Sequence, residues 1–210
     1  MEDVDYFVNH KRVGKFPWSL YHDPLQDSLL EFLGDISDRN SIPKVLVVGC
    51  GLLSELNELP PNLRLSCVDL DPRVVENVGK IKDPRIVHTA VVQAGAIDLQ
   101  PPMKFDAIYL KEVIEHIHDP LSYVRMLKDL LAPGGQVWMS TPNYGEPWLP
   151  FLENTALEFV ARISGFSRKH IHPVKFSKTT LLDLLQVGGF QDVSVNVVAR
   201  RLALVATAAL

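Results

Sequence analysis

Cysteine is scarce in this chain, with only Cys50 and Cys67 among 210 residues. Both stand in apolar, strand-like runs. That excludes a disulfide framework or a thiolate-rich metal site, and buried free thiols in a reducing compartment are expected. Long apolar runs are missing as well. No stretch approaches the roughly 18 apolar residues of a membrane span, and the polar opening MEDVDYFVNHKRVGKFPW lacks the apolar centre of a secretory signal. Together these absences point to the cytoplasm and away from the membrane. Positive charge is not in excess either, with 21 Lys and Arg against 25 Asp and Glu for a net charge of −4. A protein that coats nucleic acid over its whole surface is thereby excluded, although a local basic groove is not.

What is present suits one globular domain. Hydrophobic residues make up 47% and charged residues 22%, enough to build a core without staples. Residues 24–34, PLQDSLLEFLG, place leucines at helical spacing and end on a glycine suited to a C-cap, so a helix is expected there. KVLVVGCG (44–51) reads as a buried strand running into glycines, with LSELNELP opening a helix behind it. LRLSCVDLD (63–71), IVHTAVV (86–92), FDAIYL (105–110) and QVWMSTP (136–142) read as further strands. Helices are expected around PRVVENVGKI and over DPLSYVRMLKDLL, the latter with Asp119 as N-cap, Pro120 at the first position and a Pro-Gly-Gly stop.

Strand and helix alternate through residue 142, and the strands are continuously apolar. Such a pattern predicts a parallel sheet covered on both faces. The end of the chain differs. After the helix in SKTTLLDLLQVGG, the runs QDVSVNVVA and RLALVATAAL are joined by too short a link for a crossover helix, so they should pair antiparallel. The expected fold is therefore α/β and Rossmann-like, a seven-stranded, mostly parallel sheet with an antiparallel C-terminal strand. One domain spans 1–210, with residues 1–40 as an N-terminal helical cap. Residues 143–176 form a lid insertion with a helix near 150–164.

Gly49-Cys50-Gly51 falls where the first strand ends, a place where a ligand can approach the backbone closely. Asp69 lies 20 residues beyond Gly49, at the end of the second strand, where a carboxylate can accept hydrogen bonds from a ribose diol. The third glycine of the dinucleotide fingerprint is missing, with Leu53 and Ser54 in that region. A pyrophosphate needs that helix start unobstructed, whereas a ligand without phosphates tolerates larger residues.

In VLVVGCG, CVDLDP, the block FDAIYLKEVIEHIHDPLSYVRMLKDLLAPGGQVWMSTPN and FSKTTLLDLLQVGGF, the chain resembles the class I S-adenosylmethionine-dependent methyltransferases over roughly residues 42–200. The resemblance implies S-adenosyl-L-methionine as cofactor, with Gly49 and Gly51 against its methionine moiety and Asp69 on the ribose hydroxyls. It places Leu70 against the adenine, Ala94–Ile97 along the adenine edge, and Lys111 and Glu112 on the sulfonium side. Two positions depart from the family. Ala94-Gly95 stands where an acidic neighbourhood is common, and Asp98 offers a replacement. Val47 stands where many members carry an acid, which leaves the methionine amine without an assigned contact.

KEVIEHIHDP (111–120) packs two glutamates and two histidines into ten residues at the carboxyl end of a parallel strand, where open α/β sheets bind ligands. Glu112, Glu115 and His116 follow the i, i+3, i+4 spacing of one helical face. Three uses compete. The polar residues could be solvated or bonded to local backbone around Val113, Ile114 and Ile117. His116, or a more distant histidine, could be the general base for an acceptor hydroxyl, with Glu115 beside it. Or Glu112, Glu115 and His116 could hold Mg²⁺ or Mn²⁺ with a further histidine from RKHIHPVKFS, where His170 and His172 precede the last helix. The string is similar to that of small-RNA 3′-terminal 2′-O-methyltransferases, which makes His172 the better match, and ubiquinone-pathway O-methyltransferases show a comparable one.

Arg162, Arg168, Lys169, Lys175 and Lys178 form a cationic stretch, interleaved with Tyr144, Trp148, Phe151, Phe159 and Phe166. It suits either a solvated lid or a face toward an anionic substrate, whether a carboxylated or phosphorylated small molecule or an RNA end. No RNA-binding module lies outside the catalytic domain, which favours a small-molecule acceptor. The expected function is methyl transfer to a hydroxyl, or an amine, of a small molecule. A metal-dependent RNA 2′-O-methyltransferase is the runner-up. A nicotinamide-dependent (NAD) oxidoreductase and a non-catalytic cofactor-binding relative come from other classes.

Overall fold

The computed structural model describes residues 18–93, 95–99, 102–147 and 173–210. The expected helix near 150–164, Ala94, His170 and His172 lie outside them. Helix α1 (Ser19–Arg39) leads into β1 (Lys44–Val48), β2 (Arg64–Asp69), α2 (Pro72–Gly79) and β3 (Ile86–Val91). Then come β4 (Phe105–Lys111), α3 (Pro120–Leu130), β5 (Leu131–Pro142), α4 (Lys178–Val187), β6 (Gln191–Val198) and β7 (Ala203–Ala209). All seven strands join one sheet in the order β3-β2-β1-β4-β5-β7-β6. Every pairing is parallel except those of β7, which runs antiparallel to both β5 and β6. This is the expected architecture.

Alternate strand residues feed two cores. Val45, Val47, Tyr109 and Trp138 pack under Leu25, Leu29 and Leu33 of α1. Leu46, Val48, Ile108 and Met139 pack under α3 and α4 on the other face. Coverage of both faces explains why the strands read as unbroken apolar runs. No helix among the described residues is long and apolar enough to cross a membrane.

Three local expectations need correction. Helix α1 does not stop at Gly34 but continues to Arg39, and it begins before Pro24, which lies inside it. Its buried stripe of Leu25, Leu29, Phe32, Leu33 and Ile36 runs past the glycine, so packing on the sheet outweighs the local break signal. No α-helix follows the glycine turn. The chain makes only a 3₁₀ turn, Leu56–Glu58, and Arg85 fastens it by donating to the carbonyls of Leu56 and Leu59, each at 2.7 Å. Finally, the Pro-Gly-Gly stop is a bulge within β5, since Phe105 pairs with Leu131 and Ala107 with Gln136.

The short link from β6 to β7 is built from three successive non-glycine residues at positive φ: Ala199 at 49°, Arg200 at 55° and Arg201 at 72°. Left-handed backbone costs such residues roughly 1–2 kcal/mol each. Asn143 holds the turn, its Nδ2 donating to the Arg201 carbonyl and its N–H to that of Leu202, both at 2.9 Å.

Candidate active site

The sheet order reverses direction between β1 and β4, so the crevice outside their carboxyl ends is where an open α/β sheet offers a ligand site. Of the sequence-predicted cofactor residues, Gly49, Gly51, Asp69, Leu70, Lys111 and Glu112 lie at the carboxyl ends of β1, β2 and β4. The N–H groups of Gly49 and Cys50 donate to the Val68 carbonyl at 2.9 and 3.1 Å, tying the turn to β2. Gly49 and Gly51 take φ values of 66° and 52°, open to glycine at little cost. Asp69 Oδ2 accepts from the Gly51 N–H and Oδ1 from the Asp71 N–H, each at 3.0 Å. A carboxylate has about four acceptor positions, so both oxygens of Asp69 can still take hydroxyl donors. Leu70 is 54% exposed beside it, an apolar surface open to a ring. Asp98 is exposed in the segment after β3.

Leu53 occupies the position of the missing third glycine and adopts the left-handed backbone itself, at φ 49°. Its side chain is buried in the α1-side core, and that burial offsets the strain. Gly49 has no such latitude. A Cβ there would lie 2.6 Å from Val113 Cγ2, so Gly49→Ala is expected to destabilise the fold by about 1–3 kcal/mol. Urea denaturation checks this, and an unchanged midpoint would show that Val113 yields freely.

The crowded turn after β4 does not form one helical face. Glu112 sits at φ 59°, outside helical space, and only Ile114–His116 make a 3₁₀ turn. The three polar side chains therefore diverge. Glu112 Oε2 accepts from the Tyr21 hydroxyl at 2.7 Å and Oε1 from the Ser140 hydroxyl at 2.9 Å. Glu115 is fully buried; its Oε2 accepts from Thr141 at 3.0 Å, and its Oε1 has no hydrogen-bond partner. His116 turns outward, its Nε2 4.0 Å from Glu115 Oε1 and its side chain 42% exposed.

Burial raises both carboxyls above the usual range, and for Glu115 the Glu112 charge adds to it. The donors divide the pair. Two hydroxyls favour the ionised form of Glu112, whereas Glu115 has one donor and a like charge nearby, so Glu115 holds the proton. Burial, followed by the Glu112 charge, also raises the Tyr21 phenol.

This geometry does not favour the metal use of the string. Among the described residues no three His, Cys, Asp or Glu side chains are grouped as a metal site, and both Glu112 oxygens already accept hydroxyl donors. Tyr21, Ser140 and Thr141 belong to the site and were not singled out from sequence. Ser140-Thr141 had a signal, being a polar pair that ends the apolar run of β5. Tyr21 had none, since it meets Glu112 from 91 residues away.

Comparison with known proteins agrees with the geometry. Residues 18–195 match the methyltransferase-domain family. A ubiquinone biosynthesis O-methyltransferase of Xanthomonas campestris is 31% identical over 167 residues, covering 73% of this chain and 69% of that protein. Among solved structures, magnesium protoporphyrin IX methyltransferase from Synechocystis with bound SAH superposes with a TM-score of 0.65 at 15% identity, covering 97% of this chain and 93% of that one. The N-methyltransferase NodS from Bradyrhizobium japonicum, with bound S-adenosyl-L-homocysteine, gives a TM-score of 0.59 at 18% identity with 97% of each chain covered. These two likenesses speak to the fold alone. Family match, sequence relative and sheet order agree: the chain belongs to the class I S-adenosylmethionine-dependent methyltransferases.

Proposed function

We propose that this methyltransferase acts on a hydroxyl of a small-molecule acceptor, with His116 as general base and Glu115 behind it. The observation that carries this is the unpartnered, buried Glu115 Oε1 lying 4.0 Å from the Nε2 of an outward-facing His116. The bound cofactor supplies an electrophilic methyl group on a sulfonium. Transfer is an in-line displacement, so the protein's work is to position the acceptor and remove its proton. His116 takes that proton, and Glu115, protonated at low pH, stabilises the resulting imidazolium once rising pH has removed its own proton. Glu112, fixed by Tyr21 and Ser140, sets a negative charge at the end of β4 on the sulfonium side. Gly49 and Gly51 take the methionine moiety, Asp69 the ribose diol, and Leu70 with Asp98 the adenine.

The name of the 31%-identical relative supports oxygen as the methylated atom. The cationic residues of the stretch that includes Lys175 and Lys178 support an acceptor that carries negative charge. With the family established, the nicotinamide oxidoreductase and the non-catalytic relative fall away. The RNA-terminal 2′-O-methyltransferase is the second reading: Glu112, Glu115 and His116 do not group as a metal site among the described residues, and His172 lies outside them.

The test is transfer of a labelled methyl group to a panel of phenols, hydroxylated acids, amines and short RNAs. O-methylated phenols or hydroxy acids are expected. Label confined to amines or to RNA 3′ ends would overturn the proposal.

A further inference from the structure

Val47 leaves the methionine ammonium of the cofactor without the acid that the family often supplies from β1. The register sets Val47 beside Cys67 on β2 and Tyr109 on β4, and all three side chains lie in the core under α1. Glu55 reaches into that same place. Its Oε1 accepts from the Tyr109 hydroxyl at 3.0 Å and its Oε2 from Ser54 at 3.2 Å, and the residue is 6% exposed. It can do so because no α-helix follows the glycine turn: Glu55 stands just before the 3₁₀ turn at Leu56, where the side chain folds back over β1 and β4.

A cation faces it. Lys111 Nζ lies 3.8 Å from Glu55 Oε2 and donates to Gln26 Oε1 at 3.2 Å. The gap exceeds the roughly 2.7–2.9 Å of a charge-assisted hydrogen bond, so the two charges are neighbours without bonding directly. An ammonium keeps three donors, and among the described residues Lys111 engages one of them at hydrogen-bond distance, to Gln26. A buried acid and a neighbouring ammonium, both next to the glycine turn, complement an amino-acid zwitterion.

We propose that Glu55 and Lys111 bind the methionyl end of the cofactor, with Glu55 accepting from its α-ammonium and Lys111 donating to its α-carboxylate. The carboxylate missing at Val47 is thus restored in space by a residue eight positions later. The inference rests on the cofactor of the family. It differs from a purely structural Glu55–Tyr109–Lys111 network in one respect, namely dependence on the ligand's amino acid group.

Calorimetry with two ligands separates these. S-adenosylhomocysteine carries the amino acid, whereas 5′-methylthioadenosine keeps the adenosine and thioether without it. Glu55→Gln, which retains the shape and an acceptor for Tyr109, is expected to weaken S-adenosylhomocysteine by about 10- to 100-fold, the range for a hydrogen bond to a charged group. Binding of 5′-methylthioadenosine should not change. The unmutated chain should discriminate by a similar factor against the S-adenosylhomocysteine analogue that lacks the α-amino group, an arm that needs no variant to fold. Equal weakening of both ligands by Glu55→Gln, or equal affinity of the unmutated chain for the amino-free analogue, would overturn the proposal. Failure of both adenosine ligands to bind the unmutated chain would overturn the cofactor assignment along with it.

Discussion

Replacing His116 by glutamine is expected to lower kcat by about 10²- to 10⁴-fold, the usual share of a positioned general base, while the affinity for S-adenosylhomocysteine stays as it was. The two readouts separate because the His116 side chain faces outward beside Glu115, whereas the proposed cofactor contacts lie on the glycine turn and at the ends of β2 and β4. Glutamine retains polarity and approximate bulk but cannot take up a proton. Steady-state rates on the acceptor found in the methyl-transfer screen, paired with calorimetry, provide the check. A kcat that survives the change would show that the acceptor arrives already deprotonated, and the base would be unnecessary. Loss of cofactor affinity alongside kcat would instead assign His116 to structure.

Glu115→Gln should abolish a pH dependence of stability that the native chain possesses. The folded-state pKa of Glu115 is raised by burial and by the Glu112 charge, so the folded chain retains a proton that the unfolded chain releases near its ordinary value of about 4.3. Stability is then fully present below that value and is lost as pH rises toward the folded pKa. The slope reaches about 1.4 kcal/mol per pH unit when this group alone titrates. The Gln variant has no proton to lose, so its urea-denaturation profile should run flatter over the same window and diverge from the native one on the alkaline side. Parallel profiles would mean that Glu115 is ionised in the folded state. Catalysis should move the other way. If an ionised Glu115 steadies the His116 imidazolium, turnover should climb with pH along a limb displaced above the ordinary carboxylate range, and Glu115→Gln should erase it.

Much of the fold could be read from the chain because its strongest signals are local. Apolar runs spaced by helical patterns, Asp119-Pro120 at a helix start and a link too short for a crossover each act within a few residues. The errors came where distant packing overruled them. Gly34 looked like a stop, yet the buried stripe of α1 continues through Ile36 onto the sheet. The residues after Gly51 looked helical, yet the chain turns tightly and Arg85 takes its carbonyls from 29 and 26 residues away.

At the site, the glycines, Asp69 and the KEVIEH string were visible as residue types in a known place. Their relations were not. Spacing suggested that Glu112, Glu115 and His116 share a face, and the positive φ of Glu112 breaks that arrangement. The partners that decide their charge states, Tyr21, Ser140 and Thr141, come from α1 and β5. Glu55 meets Tyr109 across 54 residues, a distance that no periodicity reports.

The small 3₁₀ turn at Leu56–Glu58 also determines what electric field the crevice presents. A full helix starting there would aim its macrodipole at the glycine turn, equivalent to about half a positive charge. Such a field draws phosphates and repels a sulfonium. By leaving the helix out, the chain removes that positive end and puts the Glu55 carboxylate nearby. If Glu55 takes its proposed role, the crevice disfavours dinucleotide pyrophosphates and suits a ligand whose reacting atom is a cation.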